Sequence, residues 1–269
     1  MLLKNKVAVI YGAGGAVGSA VAAAFAKEGA RVFLSGRTAD NVEAVARGIV
    51  SDGGVAEAAE VDALDEASIE KHLDSVVSKA GGIDISFNAI GVPASVVADK
   101  GMQGVPLTEI PIESFMHPFT TYTRSHFLTG RAAARRMLQA KKPGVILMHT
   151  PEPARVGVPL LGGMAPAWAA LEAICRAFSA ELAAYGIRAV CLRSTGLPET
   201  RTIEIVFGIH AKVLGIEREA FQHFMESTSH TRRSTTLKEL TNAAVFLASD
   251  LAAGMTGTVA NLTAGKVSD

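Results

Sequence analysis

Tyr11-Gly-Ala-Gly-Gly-Ala-Val-Gly18 is the stretch of sequence that decides the fold. It follows an apolar run that begins at Val7, and the apolar residues after it recur at helical spacing. Glycines between a strand and a helix allow a tight turn, and they let backbone N–H groups approach a pyrophosphate at the positive end of the helix dipole. The segment therefore predicts a dinucleotide site at the start of an α/β sheet, with a structural turn that binds no ligand as the alternative.

Apolar runs alternate with helical patterns along the rest of the chain. Strands are predicted at Val7 to Tyr11, Arg31 to Leu34, Ala58 to Val61, Ile83 to Asn88, Val145 to His149, Ile187 to Leu192 and Val259 to Thr263. Helices are predicted from about Ala39, over Glu66 to Lys79, over about Ser114 to Gln139, and along an apolar face from Trp168 to Leu182. This alternation predicts an α/β fold with a parallel sheet covered by helices on both faces.

The chain is expected to form one Rossmann-like domain over residues 1–269, because no boundary or internal repeat interrupts the pattern. A loop rich in Gly and Pro is predicted from Gly91 to Pro111. A second segment, residues 196–236, is predicted to be a substrate loop or lid, with a long apolar loop from Pro198 to His230 that closes over a substrate.

Composition limits the classes of function. Lys+Arg and Asp+Glu both number 26, and the absence of a basic stripe argues against a nucleic-acid partner. The uncharged run from Val156 to Leu171 is broken by Gly and Pro, so no membrane span is expected, and the first strand leaves little room for a signal peptide. Cys175 and Cys191 lack metal-ligand spacing, which predicts buried thiols in a cytoplasmic protein without a metal.

Four segments in order carry a resemblance to the short-chain dehydrogenase/reductase family. The glycine turn resembles the TGxxxGxG motif, with Tyr11 in place of Thr and Ala16 in place of the middle Gly. The other three are Asp62, Asn88-Ala-Ile-Gly91, and Asn242-Ala-Ala-Val-Phe-Leu-Ala-Ser-Asp250 with Thr256-Gly257. The resemblance covers almost the whole chain and implies a doubly wound seven-stranded sheet. It also implies a homotetramer or homodimer built on the helices around Arg131 to Met137 and Met164 to Leu182.

The residues after the second predicted strand bear on the choice of cofactor. An acidic residue there would bind the ribose 2′-OH of NAD(H), but this chain has Gly36 followed by Arg37. A guanidinium can bind a 2′-phosphate with two hydrogen bonds, so NADP(H) is favoured over NAD(H), unless Arg37 merely faces solvent. The cofactor-binding residues predicted from the residues and the resemblance are Gly12, Gly14, Gly15, Val17, Gly18, Arg37, Asp62, Asn88, Gly91 and Thr200.

The family's catalytic residues are not found at their usual spacing. The family uses a Tyr whose pKa is lowered by a Lys four residues later, together with a Ser and an Asn. The chain has three tyrosines, and a glycine, a histidine and an alanine stand four residues after Tyr11, Tyr122 and Tyr185, respectively. No Tyr-x-x-x-Lys motif therefore exists in the sequence.

Aligning the family pattern backwards from residues 185–188 indicates what stands at each catalytic position. Met164 falls at the Tyr position and Trp168 at the Lys position. Pro151 falls at the Ser position, and Tyr122 falls at the Asn position. Met164 and Trp168 are predicted to form a core or an apolar pocket wall, with stacking of Trp168 on a planar ligand as the alternative.

Other groups could supply a proton. Tyr122 and His126 lie one helical turn apart, and His149 lies at the carboxyl end of a predicted central strand. Tyr122 and His149 are the candidates kept, against the alternative that each is simply a packed or surface residue. Glu152 and Arg155 follow in the next loop, where such charges either bind polar groups of a substrate or face water.

These residues give two main hypotheses for function. The first is an NADP(H)-dependent oxidoreductase that acts on a carbonyl or on an alcohol or enone with an unusual proton donor. The second is a catalytically silent NADP(H)-binding sensor or oligomer partner. Non-redox chemistry in a reshaped apolar pocket is a third possibility. In each case the partner is a small molecule that the sequence does not identify.

Overall fold

The structure is a computed structural model that describes residues 1–268. Within this range the strands are β1 Val7–Tyr11, β2 Arg31–Gly36, β3 Val55–Glu60, β4 Ile85–Asn88, β5 Gly144–Pro151, β6 Ile187–Ser194 and β7 Thr258–Leu262. They are all parallel and form one sheet in the order β3-β2-β1-β4-β5-β6-β7. The order reverses between β1 and β4, which is where doubly wound sheets bind ligands. The predicted seven-stranded, doubly wound fold is confirmed.

Helices cover both faces of the sheet. They are α1 Ala16–Lys27, α2 Ala39–Ser51, α3 Glu66–Ala80, α4 Ala94–Asp99, α5 Ile112–Phe119, α6 Ser125–Ala140, α7 Met164–Leu182, α8 Arg201–Leu214, α9 Arg218–Ser227 and α10 Leu237–Ala248. A π-helical segment, Thr120–Arg124, joins α5 to α6, and a short 3₁₀ turn, Glu152–Ala154, follows β5. No helix within residues 1–268 is long and apolar enough to cross a membrane.

Each face of the sheet has its own hydrophobic core. Successive residues of β1 point to opposite faces, so Ile10 packs with Phe25 of α1 and Leu240 of α10 on one side. Val9 packs with Leu73 of α3 on the other side, together with residues of α6 and α7. Because both faces are buried, β1 is apolar throughout, as expected for a central parallel strand.

Several predicted boundaries and two predicted loops differ from the structure. β3 begins at Val55 and ends at Glu60, so the predicted strand at residues 58–61 was placed too late along the chain. β4 begins at Ile85, two residues after the predicted start, because the Asp84 side chain and carbonyl instead bind the backbone N–H groups of Val7 and Val145.

Both of the long segments predicted as loops contain helices. Residues 91–111 contain α4, and residues 196–236 contain α8 and α9. The prediction of one long loop from residue 198 to 230 was wrong, because Thr200 caps α8 through the Ile203 N–H and Gly215 ends it with φ +66°. The helix predicted from residue 114 to 139 is interrupted by the π-helical segment, which follows Pro118 of α5.

Candidate active site

A cleft of about 850 Å³ lies along the carboxyl edge of the sheet. One end, here called the glycine end, is formed by the β1–α1 turn, by Arg37 after β2 and by Asp62 after β3. The other end, here called the chamber, is lined mainly by apolar side chains of the segments after β4, β5 and β6, among them Val92, Leu161, Met164, Trp168, Phe207 and Phe221. The cleft therefore combines a surface formed mainly by backbone atoms with a surface formed mainly by side chains. It lies at the switch point of the sheet, where the strand order reverses.

The turn after β1 is shaped by close backbone contacts. Gly12 has φ +72°, and a Cβ there would lie 2.9 Å from the Ala89 carbonyl oxygen. The Gly15 N–H donates to the Gly12 carbonyl at 3.1 Å, which closes the turn. A Cβ on Gly18 would lie 2.3 Å from the same Gly12 oxygen, so Gly18 packs α1 against the turn rather than lining the cleft. Gly14, Gly15 and Val17 do line it.

The first turn of α1 presents backbone N–H groups that have no acceptor within the helix. The N-cap is Gly15, it has no side-chain cap, and no acidic residue lies in the first turn. The first backbone N–H groups of a helix have no intrahelical partner, and together with the helix dipole they attract anions. A Cβ on Gly15 would meet only the Gly12 oxygen at 3.4 Å, so the turn stays open to a phosphate group. The exposed methyl group of Ala16 narrows this surface without closing it.

Arg37 and Asp62 mark the outer rim of the glycine end. The Arg37 side chain is exposed, lines the cleft and makes no ion pair or hydrogen bond within residues 1–268. Gly36 precedes it, and a Cβ there would lie 2.9 Å from the Val42 side chain, so a larger residue would require rearrangement. Asp62 accepts the Leu64 N–H through Oδ1 at 2.9 Å, which fixes the carboxylate at the rim.

The remaining predicted cofactor residues have different roles. Asn88 is buried and does not line the cleft: its Nδ2 donates to Thr129 Oγ1 at 2.9 Å, and its Oδ1 accepts the Ile90 N–H at 2.8 Å. It therefore shapes the turn that leads to Gly91. Gly91 and Thr200 both line the cleft, and Thr200 also caps α8.

Tyr122 lines the cleft beside Val92 and Trp168. It belongs to the π-helical segment, and its ring packs edge-to-face on Trp168 with ring centroids 5.9 Å apart. Its hydroxyl oxygen accepts the Val92 N–H at 3.5 Å and also a hydrogen bond from Trp168. Burial raises the pKa of the Tyr122 hydroxyl, which outweighs the lowering by these two donors. The raised pKa favours the protonated form of the hydroxyl.

The residues predicted to stand at the family's Ser, Tyr and Lys positions are apolar and line the chamber. Pro151, Met164 and Trp168 line the cleft together. Met164 is the first residue of α7, and both Met164 and Trp168 belong to a hydrophobic cluster with Leu161 and Met102. They form an apolar pocket wall, as predicted.

The two histidines near Tyr122 are held in the neutral form. His149 lines the cleft, and burial lowers its pKa to about 4. Because Ser194 Oγ donates to the Thr195 carbonyl at 2.9 Å, it accepts the Nε2–H of His149 at 2.9 Å. Burial also lowers the pKa of His126 to about 4, and His126 Nδ1 lies 2.9 Å from the Tyr122 carbonyl oxygen. Neither imidazole carries an extra proton near neutral pH.

Two buried ion pairs beside the cleft were not predicted. Lys266 Nζ lies 3.0 Å from Glu152 Oε1, and Arg193 binds both carboxylate oxygens of Glu172 at 2.8 Å each. Glu152 is buried, whereas the sequence allowed it to face water, and Arg155 is exposed. No local spacing in the sequence could indicate a pair whose partners are 114 residues apart. Within residues 1–268 no group of His, Cys, Asp or Glu is arranged to hold a metal ion.

A doubly wound parallel sheet with a glycine turn at its switch point defines the class of dinucleotide-binding α/β proteins. Residues 12–266 match the model of the family described as Enoyl-(Acyl carrier protein) reductase. The uncharacterized oxidoreductase YxbG of Bacillus subtilis is 30% identical over 255 residues, which cover 95% of this chain and 88% of that protein. The chain therefore belongs to the short-chain dehydrogenase/reductase family, as the resemblance implied, and is an oxidoreductase of that type.

Two further relatives have known activities or structures. D-threitol dehydrogenase of Mycolicibacterium smegmatis is 28% identical over 95% of this chain and 90% of its own length. The crystal structure of sorbitol-6-phosphate 2-dehydrogenase from Erwinia amylovora superimposes with a TM-score of 0.90 at 25% identity, and covers 97% of this chain and 100% of that chain. Proteins of this family use a nicotinamide cofactor, NAD(H) or NADP(H).

Proposed function

We propose that the protein is an NADP(H)-dependent oxidoreductase acting on a carbonyl, alcohol or enone substrate, and that Tyr122 replaces the usual Tyr–Lys pair. The observation that carries the proposal is the hydroxyl group of Tyr122, a residue that lines the cleft beside Val92 and Trp168. Two donors approach its oxygen, and its own proton has no acceptor within residues 1–268. This proton is available to the oxygen atom of a bound substrate.

The glycine end is suited to a dinucleotide. Gly14 and Gly15 leave space beside the uncapped first turn of α1, whose backbone N–H groups would bind the pyrophosphate. Asp62 would contact the adenine, and Val17, Gly91 and Thr200 would line the rest of the cofactor site. A nicotinamide bound there supplies or accepts the hydride.

Arg37 supports NADP(H) as the preferred cofactor. Its guanidinium is free of protein partners within residues 1–268 and lies on the cleft rim beside Gly36. No carboxylate follows β2 directly to repel a 2′-phosphate. A planar guanidinium can bind such a phosphate with two charge-assisted hydrogen bonds.

Tyr122 is a better proton donor for this site than His149. The pKa of His149 is lowered to about 4, so the imidazole lacks its second proton near neutral pH, and its Nε2–H is used by Ser194. Tyr122 keeps its proton, because burial raises the pKa of its hydroxyl. During reduction, the developing alkoxide is a stronger base than a phenolate, so it can accept the hydrogen bond and then the proton.

The chamber favours a substrate with an apolar body. D-threitol and sorbitol-6-phosphate, which the named relatives act on, are highly polar, whereas Met164, Trp168 and Leu161 give this chamber apolar walls. The helices α8 and α9, within residues 196–236, add Phe207 and Phe221 to the same walls. We keep this segment as the substrate lid.

Single-turnover kinetics test the reaction. NADPH is mixed in a stopped-flow instrument with an excess of protein and a panel of apolar ketones, aldehydes and enones. We expect oxidation of bound NADPH with at least one member. Replacing Tyr122→Phe is expected to lower this rate about a hundredfold, the effect typical of losing a donor to a developing oxyanion. Tyr185→Phe, at a tyrosine that is 65% exposed, is the control and should leave the rate unchanged.

A second candidate is the catalytically silent NADP(H) sensor or oligomer partner. It is favoured by the absence of any titratable group at Met164 and Trp168 and by the neutral state of His149. Tight binding of NADPH in calorimetry, with no hydride transfer to any panel member, would support it over the enzyme. A dissociation constant weaker than about 1 mM, roughly −4 kcal/mol, would leave both candidates without support.

Self-association as a homotetramer or homodimer remains a prediction. Phe127 of α6 is 43% exposed and stacks on Phe178 of α7 on the outer surface of the molecule, which gives these helices an apolar contact surface. Sedimentation velocity of the wild type and of Phe127→Glu measures it. Cys175 and Cys191 are free and buried, which fits the predicted cytoplasmic location.

A further inference from the structure

The cleft wall includes one member of a buried ion pair, Glu152, whose partner is Lys266. Glu152 follows β5 directly, between Pro151 and Pro153, and all three residues line the cleft. Lys266 Nζ donates to Glu152 Oε1 at 3.0 Å, and their side chains are 9% and 3% exposed, respectively. Burial of this kind is unusual for charged groups and requires that each be well paired.

The pairing of Glu152 is incomplete. Its second oxygen, Oε2, is buried, and no donor within residues 1–268 forms a hydrogen bond to it. A buried carboxylate oxygen without a donor is destabilising, and native proteins almost always satisfy such atoms with protein, water or ligand. Glu152 lies in the cleft wall, so a ligand that reaches this oxygen can supply the missing donor.

Both partners are held in place by backbone structure. The N–H of Lys266 donates to the Thr263 carbonyl at 2.9 Å, and the next residue, Val267, donates to Thr263 Oγ1 at 3.0 Å, so the turn that carries Lys266 is fixed. On the other side, the Glu152 carbonyl accepts the Arg155 N–H at 2.9 Å within the 3₁₀ turn. The acceptor is therefore preorganised for a ligand.

The charge of the pair limits which donor it accepts. The ammonium and the carboxylate neutralise each other, so a cationic or anionic ligand would be desolvated without a net counter-charge. A neutral hydroxyl group needs no counter-charge and can donate to Oε2. We propose that Glu152 determines specificity, by accepting a hydrogen bond from a hydroxyl group of an otherwise apolar substrate. The inference rests on the proposed function only in taking the chamber as the substrate site.

Two isomeric probes test this directly. 4-Fluorobenzyl alcohol and 4-fluoroanisole have the same atoms and nearly the same size, but only the alcohol has an O–H donor. Their dissociation constants are measured by fluorine NMR titration of the full chain, without nucleotide and with NADPH. We expect the alcohol to bind about tenfold more tightly, the effect of one hydrogen bond to a charged acceptor.

Variants test whether the Glu152–Lys266 pair causes the preference for the alcohol. In Glu152→Leu/Lys266→Met, which replaces the pair with apolar residues of similar size, the two isomers should bind equally within about twofold. Glu152→Gln is the second variant: its amide oxygen keeps the bond to Lys266, its NH₂ group replaces the acceptor, and the preference should again be lost. Glu181→Gln, at an exposed carboxylate near the far end of α7, is the matched control and should keep the full preference.

Equal affinities in the wild type, failure of both probes to bind, or a preference that survives in the two variants would each overturn the inference. Hydride transfer in the stopped-flow assay together with equal isomer affinities would reject the role of Glu152 alone. A tenfold preference without any hydride transfer would instead reject the proposed reaction and keep the hydroxyl site.

Discussion

The two ends of the cleft differ in what builds them. The glycine end is mainly backbone: the close approach of Gly18 to the Gly12 oxygen, the uncapped turn of α1 and one free guanidinium at Arg37. The chamber is mainly side chains, contributed by segments that are distant in the sequence, such as Tyr122 and Trp168. A backbone-built site tolerates many changes of side chain, whereas proton transfer depends on a few particular groups.

This difference allows the glycine turn to be kept in a chain that has no Tyr-x-x-x-Lys motif. Met164 and Trp168 lie on α7 and Pro151 is the last residue of β5, so exchanging these three side chains alters no residue of the glycine turn. We therefore expect the proposed nucleotide site and the proposed proton donor to be separable parts of one fold, and the following variants test that separation.

The largest effect is expected from Gly18→Ala at the glycine end. The new Cβ would lie 2.3 Å from the Gly12 oxygen, so α1 must move away from β1. We expect the free energy of unfolding to fall by about 3 kcal/mol, at the upper end for overpacking. Urea denaturation measures it. The control is Gly48→Ala in the middle of α2, where a Cβ would have no atom within 4 Å. Its free energy of unfolding should rise by up to about 1 kcal/mol.

The next largest effect is expected at the chamber, when the family's residues are introduced. Pro151→Ser/Met164→Tyr/Trp168→Lys should raise kcat/KM for NADPH-dependent carbonyl reduction about a hundredfold, or about 2.7 kcal/mol, by supplying a tuned proton donor. Met164→Phe/Trp168→Met changes the same positions without titratable groups and should give no gain. If the triple variant binds NADPH as before but shows no gain, the separation of the two ends is wrong.

A smaller change is expected for Arg37→Met. Loss of the guanidinium should weaken NADPH binding by about 2 kcal/mol, roughly thirtyfold, because one charge-assisted phosphate contact is removed. The affinity for NADH, which has no 2′-phosphate, should stay the same, so each titration carries its own control. Equal losses of affinity for NADPH and NADH would show that Arg37 does not bind the 2′-phosphate.

The smallest effect concerns acid stability and the neutral histidines. Burial lowers the pKa of His126 to about 4 from its ordinary value of 6.5. Between about pH 4 and 6.5, His126 is therefore protonated in the unfolded chain and neutral in the folded chain. Its contribution to the free energy of unfolding is full above pH 6.5 and is lost as the pH falls toward 4. In the wild type, the free energy of unfolding should fall by up to about 1.4 kcal/mol per pH unit in this range because of His126, and this slope should be absent in His126→Asn. His223→Asn, at a side chain that is 82% exposed, should leave the slope unchanged in urea melts between pH 4 and 7.

Local patterns predicted the fold and the glycine end well. β1 and the start of α2 lie where the sequence indicated, because alternation and glycine punctuation are local signals. The helices in residues 196–236 were missed, although Thr200 and Gly215 are recognisable start and stop residues.

The site was predicted in part. The sequence predicted Pro151, Met164 and Trp168 at the family's catalytic positions; all three line the cleft, and the assignment itself stays a prediction. It could not indicate that Lys266 meets Glu152, since that contact depends on how two distant loops fold over the same edge of the sheet. The single-domain prediction and the assigned cofactor contacts stay predictions.

The π-helical segment Thr120–Arg124 has a consequence for how relatives should be compared. A π-helical turn accommodates an inserted residue within an α-helix, so the side chains on its two sides are out of phase with a regular helix. Each residue of an α-helix rotates the chain by about 100°, and deleting one residue here would turn Tyr122 away from the cleft while leaving α5 and α6 intact. A one-residue gap at these positions in a related sequence would then mark, in evolutionary terms, whether that lineage gained or lost the side chain proposed here as the proton donor.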